Sequence, residues 1–150
     1  MLYLDASVMV ALFVPDKHNE DAQAWIRAKA TEIIGVSRWG DVEFAAVLSG
    51  KERTGAVSRA EKTEILDLYR QSAGSFTRLE TGEREFAEAV RIGNAGASGL
   101  RGADALHLAI ASTHAATLCT LDARQAQACE DLGISVERLL PISRDRPTTA

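Results

Sequence analysis

The sequence predicts an α/β fold built on a central parallel sheet of four to five strands, and three observations carry that expectation. Short apolar runs suited to buried strands alternate with longer segments of helical period, the pattern of parallel crossovers. Two of these runs, in LYLDAS and LCTLDAR, end alike: an acid, a small residue and then a helix. The chain has 150 residues, 46% of them hydrophobic and 25% charged, which suits one domain with a full core.

Leu2, Tyr3 and Leu4 form the first strand, which places Asp5 at its carboxyl end, the edge where open α/β sheets bind ligands. A short helix or turn over 8–14 is stopped by Pro15 and a helix restarts near His18, with Ala22, Trp25, Ile26 and Lys29 in helical spacing. Ile33, Ile34 and Val36 make a second strand. RWGDVEFAAVLSGKER returns to helical period through Val42, Ala45, Ala46 and Leu48, until Thr54 and Gly55 break it. Ser58 followed by Glu61 is a capping-box pattern that opens a helix through Ile65, Leu66 and Tyr69.

SFTRLE supplies a third strand, and Glu83 starts a helix through Phe86, Ala89, Val90 and Ile92. GNAGASGLRG is then a flexible, glycine-rich loop. No strand precedes it, which counts against a dinucleotide-binding fingerprint. ADALHLAIASTHAA reads as a helix and TLCTLD as the fourth strand. Asp122 with Gln125 resembles another capping box, Gly133 ends that helix, and ISVERL adds the fifth strand. Residues 1–142 read as one domain and 143–150, SRDRPTTA, as a disordered tail.

The totals narrow the function. No segment approaches the ~20 apolar residues of a membrane span, and the amino terminus lacks the basic start of a secretory signal, so a soluble cytoplasmic protein is expected. A net charge of −4 argues against coating nucleic acid by bulk electrostatics, yet leaves room for an enzyme that handles RNA locally. Cys119 and Cys129 have neither metal-ligand spacing nor a disulfide framework and read as core residues. His107 and His114 lack the companions of a zinc site and read as packed or hydrogen-bonded. No serine or cysteine stands in a nucleophile-elbow context.

Four acids stand in apolar surroundings, where acids are rarely placed without a reason: Asp5, Glu43, Asp104 and Asp122. Each has a plain alternative. Asp5, Asp104 and Asp122 suit helix caps and first turns, Glu43 suits a solvated helix face, and Asp41 beside it reads as solvated. If the first and fourth strands are neighbours, Asp5 and Asp122 share one sheet edge. Converging carboxylates without basic partners repel unless a cation lies between them, and all-oxygen ligands suit Mg²⁺ or Mn²⁺.

The residues so placed resemble the PIN-domain nucleases, and among these the VapC-type toxins of bacterial toxin–antitoxin pairs. The resemblance runs through Asp5 and Ser7 in YLDAS, Glu43 in WGDVEFAAVL, Asp104 in LRGADALHLAIA, and Thr120 and Asp122 in LCTLD. It implies a three-layer α/β/α fold and a Mg²⁺- or Mn²⁺-dependent endoribonuclease. Asp5, Glu43, Asp104 and Asp122 would form its metal-binding quartet, with Ser7 and Thr120 as supporting hydroxyls. It further implies hydrolysis by metal-activated water, a homodimer, and a small antitoxin whose tail covers the acidic groove. WGD is an unusual lead into Glu43. Arg101 and Arg124 stand beside Asp104 and Asp122, either to hold substrate phosphates or to pair with those acids.

Two other classes compete. A receiver-type phosphoacceptor domain needs paired acids after the first strand and a late lysine, whereas here Asp5 stands alone and no lysine follows Lys62. A haloacid-dehalogenase-like phosphatase would want a second aspartate where Ser7 stands. A noncatalytic module of the same fold, binding RNA or a protein, is the stronger rival, and the complete quartet counts against it.

Overall fold

The computed structural model describes residues 1–96 and 100–139, and in it the first strand made is the central one. Strands β1 (Leu2–Leu4), β2 (Ile34–Ser37), β3 (Thr77–Leu79), β4 (Thr117–Thr120) and β5 (Val136–Arg138) form one sheet in the order β3-β2-β1-β4-β5. Every neighbouring pair is parallel. The register sets Tyr3 beside Leu118 and Leu4 beside Cys119. The expected tail, 143–150, and the middle of the glycine-rich loop, 97–99, lie outside the described residues.

Alternation along β1 assigns the two faces. Leu2 and Leu4 pack with α1 (Ala6–Phe13), α2 (Asn19–Ala28), α3 (Arg38–Arg53) and α4 (Arg59–Ala73). Tyr3, between them, packs with α5 (Glu83–Asn94), α6 (Gly102–Thr113) and α7 (Ala123–Leu132). The result is the expected three-layer α/β/α arrangement. A strand covered on both faces explains why LYL is apolar throughout.

Local signals account for most boundaries. Ser58 and Glu61 close a reciprocal capping box, with Glu61 N–H donating to Ser58 Oγ at 3.2 Å and Ser58 N–H to Glu61 Oε2 at 2.7 Å. Gly133 ends α7 at φ +69°, a left-handed conformation that glycine takes without strain. Both cysteines are buried and unpaired, and burial pushes each thiol up to about 12.

Two helical faces and one strand start differ from the sequence expectation. In α3 the buried residues are Gly40, Phe44 and Leu48, while Val42, Ala45 and Ala46 are exposed. Phe44 decides the rotation, because its ring packs against Phe13 and Tyr69 at centroid distances of 6.1 and 5.0 Å. In α5, Ile92 is buried but Phe86 and Val90 are exposed, and the helix continues through Gly93 and Asn94. Ile33 lies just before β2 with an exposed side chain, and only its carbonyl joins the sheet, accepting from Leu2 N–H at 2.8 Å.

Candidate active site

The chain leaves β1 towards β2 and β3, then returns across β1 to β4 and β5. The order therefore reverses at β1, and the crevice beyond the carboxyl ends of β1 and β4 is where such sheets bind ligands. Asp5 follows β1 directly. It is only 2% exposed, yet its side chain also caps α1, Oδ1 accepting from Val8 N–H at 2.9 Å and from the Ser7 hydroxyl at 2.6 Å. Cap and site are thus compatible readings of one residue. Burial raises the Asp5 pKa above its ordinary value, and His107, Ser7, Thr120 and Val8 offset part of that rise.

Ser7 joins the two strand ends. While donating to Asp5 it accepts Leu121 N–H at 2.9 Å, and Asp5 N–H donates to Cys119 O at 3.2 Å. Thr120, fully buried at the end of β4, accepts Asp122 N–H at 3.0 Å. Asp122 caps α7, its Oδ1 accepting from Arg124 N–H at 2.8 Å and Gln125 N–H at 3.4 Å. The expected capping box is only half formed. Thr120 takes the Asp122 N–H that Gln125 would have served, and Gln125 Oε1 instead lies 3.5 Å from Thr120 Oγ1.

The other two acids stand on α6 and α3. Asp104 sits in the first turn of α6, half-buried, and accepts Arg101 N–H at 3.2 Å. One turn later on the same helix, His107 places Nε2 2.5 Å from Glu43 Oε2. Its Nδ1 is 2.7 Å from the Tyr3 hydroxyl, which is 2.7 Å from Ser37 Oγ. Ser37 in turn caps α3 by accepting Gly40 N–H at 3.0 Å. Burial drives the Tyr3 phenol upward, so it remains protonated. His107 is hydrogen-bonded, as expected, but its link to Glu43 and the part played by Tyr3 and Ser37 were not visible in the sequence. The i, i+3 spacing of Asp104 and His107 was the one available signal.

Arg124 lies 3.9 Å from Asp122 Oδ2, an exposed pair of little energetic weight. Arg101 is exposed and lines a cavity of about 470 Å³ with Trp39, Phe86 and Val90. Asp41 is not simply solvated. It accepts from Tyr69 OH and pairs with Arg78 at 2.7 Å, tying α3 to α4 and β3. His114 Nε2 lies 3.0 Å from Glu80 O and 3.7 Å from Glu85 Oε1, contacts outside the four candidate acids.

Comparison with known families bears on the fold and the family. The model of the PIN domain matches residues 2–131. This chain belongs to the PIN domain family. No curated protein matches it significantly in sequence. Among solved structures, FitAcB from Neisseria gonorrhoeae is similar at 21% identity and TM-score 0.69, over 91% of this PIN domain chain and 96% of the other. VapBC2 from Rickettsia felis, bound to a DNA fragment from their promoter, is similar at 14% identity and TM-score 0.70, over 92% and 98%. PAE2754 from Pyrobaculum aerophilum is similar at 23% and 0.63, over 85% and 84%. These likenesses concern the fold.

PIN domains are in general nucleases and use divalent metals. The donor chemistry here fits such an ion. All four acids offer hard oxygen ligands, and the hydrogen bonds described above engage one oxygen of each. Among the described residues, no three of His, Cys, Asp and Glu form a ready metal-holding group. Mg²⁺ does not require one, since it keeps several waters and is commonly held by one or two carboxylates.

Proposed function

We propose that this PIN domain, residues 1–142, is a Mg²⁺- or Mn²⁺-dependent endoribonuclease and the toxin of a VapBC-type pair. The observation that carries the proposal is Asp5: a carboxylate buried at the switch point whose hydrogen-bond partners, the Ser7 hydroxyl and the Val8 amide, are both neutral. A buried charge without a counter-charge is costly, and a cation in the crevice supplies one. Asp5, Glu43, Asp104 and Asp122 would hold the ion. A bound divalent ion supplies the Lewis acidity that phosphodiester hydrolysis needs.

The chain's own residues orient the rest. Ser7 fixes the Asp5 carboxylate and Thr120 the Asp122 amide. Arg101 and Arg124 bind substrate phosphates. One water adds across the bond: its oxygen joins phosphorus, the bond to the 3′ oxygen breaks, and the products carry a 5′-phosphate and a 3′-hydroxyl. The likeness to FitAcB and VapBC2 supports an antitoxin partner; that this partner is small and covers the acidic groove, and that the chain pairs into a homodimer, are parts of the proposal. Among the described residues no helix is long and apolar enough to cross a membrane. The cytoplasm, with its RNA, is the proposed location.

The test is incubation of purified, partner-free chain with mixed folded RNAs in Mg²⁺, Mn²⁺ or chelator, beside Asp5→Asn. Discrete cuts that need metal and vanish in Asp5→Asn are expected. No cleavage, together with no Mn²⁺ binding by calorimetry, would refute the nuclease function and favour a noncatalytic binding module.

A further inference from the structure

We propose that Tyr3 is a positioning residue for the candidate site: acting through His107, it holds the Glu43 carboxylate in place, a role that rests on the nuclease function proposed above. The direction of the four-group chain follows from its buried end. Gly40 N–H donates to Ser37 Oγ, so this oxygen already accepts and its own hydrogen needs an acceptor. Among the described partners of Ser37, the Tyr3 oxygen at 2.7 Å is the one that can take it. The Tyr3 O–H then points at His107 Nδ1, also at 2.7 Å, which must be the bare nitrogen of the ring. The ring N–H is left on Nε2, facing Glu43 Oε2 at 2.5 Å. Each buried group donates once and accepts once, as buried polar groups require. Turning the phenol around would leave the Ser37 hydrogen without an acceptor.

Rigidity runs the same way. Tyr3 and Ser37 are 0% exposed and belong to neighbouring strands of the sheet, and His107 is 2% exposed. The Glu43 side chain, by contrast, is 25% exposed and opens to solvent. The chain therefore transmits the fixed geometry of the sheet centre to a carboxylate that faces the crevice. Phenylalanine would fill the same core space, and only the hydroxyl distinguishes tyrosine here. Hydrogen-bond partners behind a ligating side chain fix its orientation and raise metal affinity.

The experiment uses the full chain. Nitrogen-resolved NMR reports which ring nitrogen of His107 carries the proton without metal present, and calorimetry reports Mn²⁺ affinity. In the wild type, Nε2 is expected to be protonated and Nδ1 bare. In Tyr3→Phe the Glu43 carboxylate still demands the Nε2 proton, so the tautomer should persist while the Nδ1 resonance shifts and Mn²⁺ affinity falls about tenfold. A wild-type ring protonated on Nδ1, or Mn²⁺ affinity in Tyr3→Phe within about twofold of wild type, would overturn the proposal. Where Tyr3→Phe does not fold, His107→Gln and His107→Leu decide. Gln keeps an N–H for Glu43 and should hold Mn²⁺ affinity within about threefold, whereas Leu should lose about tenfold. Equal losses would mark His107 as packing alone and overturn the proposal. A wild-type chain that binds no Mn²⁺ would refute the nuclease function instead, and a His107 Nδ1 resonance unchanged in Tyr3→Phe would then overturn the role of Tyr3.

Discussion

Ser7 and Leu121, 114 residues apart in sequence, meet in one hydrogen bond of 2.9 Å, the Leu121 amide donating to a hydroxyl that itself donates to Asp5. One small side chain thus ties the segment after β1 to the segment after β4 and sets the carboxylate between them.

Ser7→Ala removes both bonds and leaves a part-buried amide without its acceptor. The expected cost is about 1–3 kcal/mol, read as a lower denaturant midpoint, together with weaker Mn²⁺ binding. An unchanged midpoint would show that the two strand ends are held by other means.

Asp5 carries a pH signature. Its pKa is raised by burial in the folded chain, so the folded state holds this proton more tightly than the unfolded state does. Its favourable contribution is present below the ordinary value of 3.8 and is lost as pH rises through the raised value. At neutral pH without metal, ionised Asp5 therefore opposes folding, and Asp5→Asn should melt higher than wild type. Each 1 kcal/mol appears as about 2–4 °C in a chain of this size. Scanning calorimetry at pH 7 and pH 3.5 checks this: the gain should shrink at the lower pH. A gain equal at both pH values would mean that burial of the charge is not its cause.

Asp122 separates cap from chemistry. Asp122→Asn keeps an oxygen for Arg124 N–H and Gln125 N–H, so its melting temperature should stay near wild type while RNA cleavage falls at least tenfold. Asp122→Ala should lose cleavage and about 1 kcal/mol of stability as well. Full cleavage by Asp122→Asn would remove this residue from the site.

Arg101 has no side-chain ion pair described, unlike Arg124, and lies at the rim of the cavity beside Trp39. If it neutralises one RNA phosphate, Arg101→Ala should weaken binding and reduce the salt dependence by about 0.7 in the log–log slope. Fluorescence titration of single-stranded RNA at several salt concentrations measures both. An unchanged slope would exclude a phosphate contact.

What the sequence disclosed was local or periodic. An apolar run ending in an acid marks a strand edge wherever it occurs, so Asp5 and Asp122 could each be put at the carboxyl end of a strand, while their meeting waited on the β1–β4 pairing. Ser58 and Glu61 are three residues apart and declare their own cap. The chain from Ser37 through Tyr3 and His107 to Glu43 could not be read this way, because its links span 34, 104 and 64 residues. Helix rotation was hidden for a related reason. Phe44 outweighs Val42 and the alanines only once Phe13 and Tyr69 are present to receive its ring.

The central position of β1 also bears on how the molecule comes into being. Within the domain β1 precedes its second neighbour, β4, by more than a hundred residues, so the sheet closes around β1 only once most of the domain has been made. Until Thr120 and Asp122 have emerged, Asp5 has only half of its crevice, and Ser7 has no Leu121 amide to accept. A growing chain still attached to its own message therefore carries isolated acids and no assembled site. The strand order thus delays assembly of the crevice until nearly the whole domain has been made.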